Sequence, residues 1–222
     1  MRIIQKQGSR GSLKWIQKAV NGRSFLLDEK ILEMIPGAAS VVWRSPLATD
    51  GHAEYRDHSF LELLDLPHLK TSLDSFWPRR GPQWDALGLT DRRNVLLVEA
   101  KAHAGELCSP GSAAGPASRA VIERSLEETA HSLGAAPRAP WSGVFYQLAN
   151  RLAHLDFLRR NDVPAWLVLV NFIGDRERNG PATRAEWEAA YGVVFHVMGL
   201  KSNHRLSRFI LHIYPDVALL AD

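Results

Sequence analysis

The chain has 222 residues, of which 45% are hydrophobic, and its 27 Lys and Arg against 24 Asp and Glu give a formal net charge of +3. We expect one domain over residues 1–222, because this length supports one well-buried core. The single cysteine, Cys108, excludes an internal disulfide, and no apolar run approaches the ~20 residues of a membrane helix. We therefore expect a soluble, cytoplasmic protein without a membrane partner, and its small positive charge leans toward anionic partners.

The first third of the chain shows mainly helical signals. In chain order we expect helices at 12–21 and 28–35, a strand at 41–43, a helix at 52–64 and a strand at 72–77. Lys14, Lys18 and Arg23 lie on the outer side of the first helix, where a solvated face is favoured over contact with phosphate. Glu54 and Asp57 lie near the apolar face of the third helix, where a buried carboxylate needs a charged partner or a metal.

Residues 83–103 predict a β-hairpin. A polar turn centred on Arg92 separates two strands, and the second strand is apolar until it reaches Glu99. With that turn, Asp85 and Glu99 face each other across the strands, with Cβ atoms roughly 5 Å apart. Lys101 shares the face of Glu99, because side chains alternate along a strand. The hairpin therefore gathers two carboxylates and an ammonium group.

The second half of the chain alternates helices and strands. We expect helices at 118–133, 141–160 and 183–191, and strands at 166–172, 193–198 and 209–214. The strand at 166–172 and the second hairpin strand are apolar on both faces, so each should lie inside a sheet that is covered on both sides. The sequence therefore predicts an α/β fold with a central mixed sheet flanked by helices.

The facing carboxylates predict a metal site. Two like charges this close repel each other, and a bound cation relieves the repulsion. Oxygen ligands of this kind suit Mg²⁺ or Mn²⁺. Lys101 would steer or deprotonate a water, or stabilise charge that develops on phosphorus. The acid-x-Lys spacing alone means little, because Asp28 and Lys30 also show it in a helical pattern, where residues i and i+2 point apart.

This arrangement resembles the PD-(D/E)XK nuclease superfamily, whose signature is an acid at the start of a hairpin followed by Glu/Asp-x-Lys on the next strand. The resemblance covers roughly residues 50–172, and the whole chain is similar to a bacterial branch of the superfamily. It implies a restriction-endonuclease-like, three-layer core. It also implies that Asp85, Glu99 and the backbone carbonyl of Ala100 are metal ligands, and that Lys101 is the catalytic lysine.

Helices contribute further residues in this resemblance. Glu54 is the expected acid on a preceding helix, and Asp57 is the second choice. Gln147 and Arg151 resemble the Gln-x-x-x-Tyr/Arg motif that follows the lysine strand in several branches. The chain departs from the common pattern at Trp84, which stands where the superfamily signature has Pro.

The first functional hypothesis is a nuclease that uses Mg²⁺ or Mn²⁺ to hydrolyse phosphodiester bonds, with DNA as the expected partner. Candidate nucleic-acid contacts are Arg79, Arg80, Arg151 and Arg205. The sequence is compatible with a homodimer but does not fix the oligomeric state.

Three alternatives stay open. A nuclease-fold protein could bind nucleic acid or a protein partner without cutting, with phosphate contacts that also include Lys201 and Arg208. A carboxylate-pair hydrolase such as a glycosidase is disfavoured by the adjacent Lys101. The hairpin residues could also form a purely structural salt-bridged edge. The second-rank site candidates are His103, Asn150 and His154.

Overall fold

The computed structural model describes residues 1–221. These residues form seven α-helices: α1 (Gly11–Gly22), α2 (Phe25–Met34), α3 (His58–Leu63), α4 (Lys70–Phe76), α5 (Pro116–Ser132), α6 (Tyr146–Arg160) and α7 (Arg184–Met198). They form seven strands: β1 (Arg2–Ile3), β2 (Val41–Ser45), β3 (Glu54–Tyr55), β4 (Ala86–Thr90), β5 (Val95–Lys101), β6 (Ala165–Asn171) and β7 (Ile210–Ile213). Within the described part of the chain, no helix has the length and apolar character needed to cross a membrane.

A five-stranded mixed sheet runs through the middle of the molecule in the order β2-β4-β5-β6-β7. Strands β2, β4 and β5 are antiparallel neighbours, whereas β5, β6 and β7 run parallel. A parallel pair needs a long crossover, and residues 102–164 provide it between β5 and β6 with helices α5 and α6. The predicted hairpin is therefore the antiparallel half of the sheet, and its second strand begins the parallel half.

The two faces of this sheet pack against different helices. Leu97 and Leu167 face one apolar cluster, which includes buried residues of α3 to α7. Leu96 and Val168 face a second cluster, which includes buried residues of α1 and α2. Because neighbouring residues on a strand point to opposite faces, the continuous apolar runs of β5 and β6 fill both clusters. The predicted α/β class, with a central mixed sheet flanked by helices, is confirmed.

Two predicted strands are wrong. Residues 72–77 lie mostly in α4, and residues 193–198 form the last part of α7. The β-branched pair at Val193 and Val194 favours a strand locally. However, the buried residues of α7 recur at helical spacing, and these are Trp187, Tyr191, Val194 and Met198. Burial of this stripe on the core outweighs the local strand preference.

The predicted helix at 52–64 is also wrong in its first half. Glu54 lies on strand β3, which pairs antiparallel with β1 at the amino terminus, and the helix begins only at His58. Positive φ angles of 49° at His52 and 54° at Asp57 interrupt any continuous helix there. The resemblance placed Glu54 on a helix, so this part of the prediction does not hold.

Candidate active site

The hairpin has the predicted register. Ala86 pairs with Val98 and Leu89 pairs with Val95, so the turn centres on Arg92. Asp85 stands one residue before β4, and its Oδ2 atom accepts a hydrogen bond from the Ala100 backbone N–H at 2.7 Å. The first acid of the hairpin is thus held at the end of β5 that carries the charged residues.

Glu99 lies between two cations. Its Oε1 atom accepts a hydrogen bond from Lys101 Nζ, and its Oε2 atom accepts one from Arg151 Nε at 2.6 Å. Lys101 also donates to Gln147 Oε1 at 2.8 Å. Glu99, Lys101 and Arg151 are all buried. The structure therefore brings β5 together with the part of α6 that carries Gln147 and Arg151. Gln147 follows Lys101 by 46 residues in the sequence.

Each of the three guanidinium nitrogens of Arg151 donates a hydrogen bond within the protein. Besides Glu99, its guanidinium donates to Asn150 Oδ1 at 2.8 Å and to the Gln83 carbonyl at 2.7 Å. It also lies over the Trp84 ring, 4.8 Å from the ring centroid. Arg151 is buried and supports Glu99 through these contacts, and it also lines the site cavity, so its contact with nucleic acid stays a prediction.

Glu54 joins the same site from strand β3. Its Oε2 atom accepts hydrogen bonds from Gln83 Nε2 and from Gln5 Nε2, the latter at 3.0 Å. The sequence did not single out Gln5 or Gln83 as site residues. No local signal identifies them, because Gln5 meets Glu54 through the pairing of the amino terminus with β3, and Gln83 lies next to the bridge between Tyr55 and Trp84.

These side chains line an open cavity of about 600 Å³ at the end of β5. The polar and charged side chains around it include Glu54, Arg80, Gln83, Asp85, Glu99, Lys101, Glu106, Tyr146, Gln147, Asn150 and Arg151. Cys108 also lines this cavity, in an exposed loop. The cavity is largely polar, as expected for a site that binds a charged ligand.

The cluster contains more acids than bases. Glu54, Asp85 and Glu99 supply three carboxylates, against the two cations of Lys101 and Arg151. Burial raises the pKa of Asp85 well above its ordinary value, and the charges of Glu99 and Glu54 raise it further. Burial also raises the pKa of Glu54, although the hydrogen bond from Gln83 opposes the shift. A proton or an added cation is therefore needed to balance the cluster.

Glu99 differs from the other two acids. Burial alone raises the pKa of its carboxyl group, but the charges of Arg151 and Lys101 outweigh burial and lower the pKa below its ordinary value. Glu99 is thus held as a carboxylate by its two neighbours. The negative charge that Lys101 and Arg151 do not balance therefore lies on Asp85 and Glu54.

The donor atoms fit a hard divalent cation such as Mg²⁺ or Mn²⁺, because they are carboxylate oxygens with one excess negative charge. Asp85 and Glu99 would hold the ion, and Ala100 also lines the cavity. Among residues 1–221, no three His, Cys, Asp or Glu side chains already converge as metal ligands. Since each carboxylate oxygen has two lone pairs, Glu99 can accept from Arg151 and still offer an oxygen to a metal.

The remaining arginine candidates occupy different places. Arg80 is exposed and lines the site cavity, whereas Arg79 lines a neighbouring small cavity. Arg205 makes an ion pair with the buried Asp156 and hydrogen bonds to Ser132. The structure brings Arg80 to the site and leaves Arg205 in a separate ion-pair cluster.

The second-rank candidates are mostly structural. Asp57 accepts a hydrogen bond from the Gly81 N–H at 2.9 Å, so it holds the loop before the hairpin. His103 begins a short helical turn with Glu106. His154 is buried among aromatic rings, 4.8 Å from that of Trp77, and burial lowers its pKa to about 3. Neutral His154 therefore serves as core packing.

No family model, curated protein or solved structure matches this chain closely enough to show a family.

Proposed function

We propose that this protein is a metal-dependent nuclease that hydrolyses phosphodiester bonds of DNA, built on a restriction-endonuclease-like core of the PD-(D/E)XK type. One observation carries the proposal: Asp85, Glu99 and Lys101 meet at one end of β5, and Gln147 of α6 binds the lysine. The mixed sheet with helices on both faces is compatible with that core. Fold alone does not determine activity, so the proposal depends on the residues of the site.

Each residue has a role in this mechanism. Asp85, Glu99 and the Ala100 carbonyl would hold Mg²⁺ or Mn²⁺, which would supply positive charge against the phosphate oxygens and make a water more acidic. Lys101 orients the attacking water and stabilises the negative charge that develops on phosphorus. Gln147 fixes the position of the Lys101 ammonium group, and Arg151 holds Glu99.

The test is incubation of plasmid and single-stranded DNA with the protein and Mg²⁺ or Mn²⁺. Lys30→Ala is a matched control, because Lys30 belongs to the other acid-x-Lys sequence and is exposed on α2. We expect cleavage by the wild type and by Lys30→Ala, and a loss of at least about a hundredfold in Lys101→Ala. An inactive wild type, or cleavage that survives Lys101→Ala, contradicts the proposal.

A second candidate function is binding of nucleic acid without cutting. It is favoured by the engagement of both Glu99 oxygens with cations of the protein itself. This function predicts DNA binding that weakens steeply with salt, with no cleavage in Mg²⁺ or Mn²⁺. Binding that is insensitive to salt would exclude it.

A further inference from the structure

A small pocket of about 220 Å³ shares Gly81 with the site cavity. We call it the side pocket. Its volume is below the roughly 300–1,000 Å³ of sites that take drug-sized ligands, so it suits one flat ring system. Its lining includes Asp57, Leu73, Trp77, Pro78, Arg79 and His154. It is therefore a recess next to the candidate active site, with apolar and polar side chains of its own.

The apolar part of the side pocket comes from α4 and from the residues that follow it. Leu73 and Trp77 are both buried, and Pro78 continues this wall. His58 pairs with Asp74 at 2.7 Å in the same pocket, and both of these side chains are exposed. An aromatic ligand ring can pack against such an apolar wall while its polar edge makes hydrogen bonds.

His154 presents an unused hydrogen-bond acceptor to the side pocket. Its Nδ1 atom lies 2.9 Å from the Asn150 carbonyl oxygen, which only accepts, so Nδ1 carries the hydrogen. Burial lowers the pKa of the ring to about 3, so Nε2 carries no hydrogen at neutral pH. The residue is 1% exposed, and Nε2 has no hydrogen-bond partner among residues 1–221. Besides its role in packing, His154 therefore offers an acceptor that the described chain does not use.

Asp57 supplies a second acceptor. Its Oδ1 atom accepts from the Gly81 N–H at 2.9 Å and can accept once more, because a carboxylate oxygen has two lone pairs. Arg56 is close, but its Nε atom is 4.0 Å from Asp57 Oδ2, beyond hydrogen-bond distance. The Met1 ammonium group also lines the side pocket, but it donates to the Arg56 carbonyl at 2.5 Å. Asp57 thus keeps the capacity to accept from a ligand.

The two acceptors lie around the same place. A Cβ atom at Gly81 would be 3.5 Å from Asp57 Oδ1 and 3.7 Å from His154 Nε2. It would also be 3.2 Å from Trp77 Cδ1. Glycine leaves this place free of a side chain, so both acceptors border one small open volume. An amino group has two N–H donors on one nitrogen and therefore matches the pair.

The side pocket is also close to the predicted reacting groups. Arg79 lines the side pocket, Arg80 lines the site cavity, and Gly81 lines both. The two arginine side chains are exposed and make no salt bridge or hydrogen bond among residues 1–221. Gly81 precedes Asp85 by four residues, so the two are at most about 14 Å apart. A strand with one phosphate at Lys101 can therefore place a second phosphate against these arginines and a base in the side pocket.

We infer that the side pocket binds an unpaired nucleobase with an exocyclic amino group, from the same DNA strand whose scissile phosphate lies at Lys101. The amino group donates to His154 Nε2 and to Asp57. Cytosine, adenine and guanine carry such a group, whereas thymine and uracil present carbonyl oxygens, which two acceptors repel. A base enters a pocket only when it is out of the duplex stack, so the substrate is single-stranded or locally unpaired. The inference rests on the proposed function for the identity of the strand.

The experiment compares binding of two labelled 12-nucleotide single strands, oligo-dC and oligo-dU, by fluorescence anisotropy at pH 7.5 in EDTA, where cleavage does not interfere. The two strands share their backbone and ring size, and their bases differ in the amino or carbonyl group at C4 and in the hydrogen at N3. The test variants are His154→Phe, which keeps a ring without the acceptor, and Asp57→Asn. The latter keeps an oxygen for the Gly81 N–H and replaces the other oxygen by a donor.

His212→Phe is the matched control. His212 is also a histidine among aromatic rings, 4.6 Å from that of Tyr191, and burial lowers its pKa to about 4. It lies on β7 and lines a different cavity. Circular dichroism and melting temperature show whether each variant folds, and Asp57→Asn tests the inference by itself if His154→Phe does not.

We expect the wild type to bind oligo-dC about fivefold more tightly than oligo-dU, a ratio that one or two hydrogen bonds supply. His154→Phe and Asp57→Asn should each reduce this ratio to less than about twofold, whereas His212→Phe should keep it. The ratio is the readout because a change in net charge affects both strands alike. Equal affinity of the wild type for the two strands overturns the inference, and so does an equal loss of the ratio in His212→Phe.

Three further measurements complete the test. A 12-nucleotide abasic strand should bind more weakly than oligo-dC, and equal binding would show phosphate contacts alone. Duplex DNA bound as tightly as the single strands would reject an unpaired base. Binding of free cytidine without binding of oligo-dC would show a nucleoside site and overturn the assignment to a strand.

The inference and the proposed function fail in different ways. Cleavage of DNA by a wild type that does not distinguish oligo-dC from oligo-dU rejects the side pocket and leaves the nuclease proposal intact. A wild type that prefers oligo-dC, loses the preference in both test variants and never cleaves DNA with Mg²⁺ or Mn²⁺ rejects the nuclease proposal. That result still supports the side pocket as a base-binding site.

Discussion

Arg151 donates a hydrogen bond from Nε to Glu99 Oε2 over 2.6 Å, joining α6 to β5 through two buried side chains. Removal of one partner from a buried ion pair leaves the other charge poorly compensated, which costs about 3–5 kcal/mol. Lys101 remains on the other oxygen of Glu99 and offsets part of that cost. The pair is therefore a sensitive point for both stability and the geometry of the site.

We expect Arg151→Met to lower the free energy of unfolding by about 3 kcal/mol, because Glu99 keeps only Lys101 as a cationic partner. Urea denaturation at pH 7 measures this, with Arg124→Met, an exposed position on α5, as the control. The control should change stability by less than about 0.5 kcal/mol. A loss below about 1 kcal/mol in Arg151→Met would show that the pair does little for the fold.

A divalent cation should stabilise the wild type through Asp85. At ten times its dissociation constant, Mg²⁺ contributes about 1.4 kcal/mol, which raises the melting temperature by about 3–6 °C. Asp85→Asn should abolish this shift, because it removes a ligand oxygen charge. Differential scanning fluorimetry with MgCl₂ and with NaCl at matched ionic strength measures it. An equal Mg²⁺ shift in both proteins argues against Asp85 as a ligand.

Asp85 also predicts a pH effect. Its folded pKa is raised by burial and by Glu99 and Glu54. Its contribution to stability is therefore fully present below the unfolded pKa, about 3.9, and is lost as pH rises through the folded pKa. Without metal, Asp85→Asn should be more stable than wild type at pH 8 and lose this advantage at pH 4. Urea denaturation at the two pH values checks it, and an advantage of equal size at both contradicts the shift.

His154 should make the protein sensitive to acid. Burial lowers its pKa from the ordinary value of 6.5 to about 3, so its contribution to stability is present above pH 6.5 and is lost as pH falls toward 3. Between pH 7 and pH 4 this corresponds to about 3 kcal/mol. His154→Phe keeps a ring in the aromatic cluster and should lose less stability over that range. Parallel curves for both proteins would show that His154 does not titrate as described.

The two exposed arginines Arg80 and Arg205 should behave oppositely. Arg80 lines the site cavity, whereas Arg205 pairs with the buried Asp156. Arg80→Ala should weaken DNA binding severalfold with little effect on stability. Arg205→Ala should destabilise the fold by about 1 kcal/mol, since Arg160 still pairs with Asp156, and should leave DNA binding unchanged. Weaker DNA binding by Arg205→Ala, together with unchanged DNA binding by Arg80→Ala, would instead support Arg205 as a nucleic-acid contact.

The hairpin could be predicted from the sequence because its register depends only on residues that are close together in the chain. Alternating side chains and a polar turn determine which residues of β4 and β5 pair, and the pairing of Ala86 with Val98 follows that register. The strand β6 was also predictable, because a fully apolar run of seven residues suits an interior strand. The positions of Asp85, Glu99 and Lys101 relative to one another therefore follow from neighbouring parts of the sequence.

The remaining parts depend on contacts between distant segments. Glu54 lies on a strand because the amino terminus pairs with it, and nothing near Glu54 indicates that partner. The same pairing brings Gln5 to Glu54, whereas Gln83 reaches Glu54 beside the bridge between Tyr55 and Trp84. The pairing of Arg151 with Glu99 spans 52 residues, and a helix motif alone does not tell which acid its arginine meets. Burial and ion pairing, rather than local preference, decide these positions.

The long crossover between β5 and β6 has a consequence for the order of events during synthesis. Glu99 and Lys101 leave the ribosome before Gln147 and Arg151, which follow 46 and 52 residues behind their partners. The parallel pairing of β5 with β6 is delayed further, because non-local contacts form only after the intervening chain exists. The nascent polypeptide thus carries its charged hairpin for some time before the supporting helix arrives, and the complete constellation is a property of the finished chain.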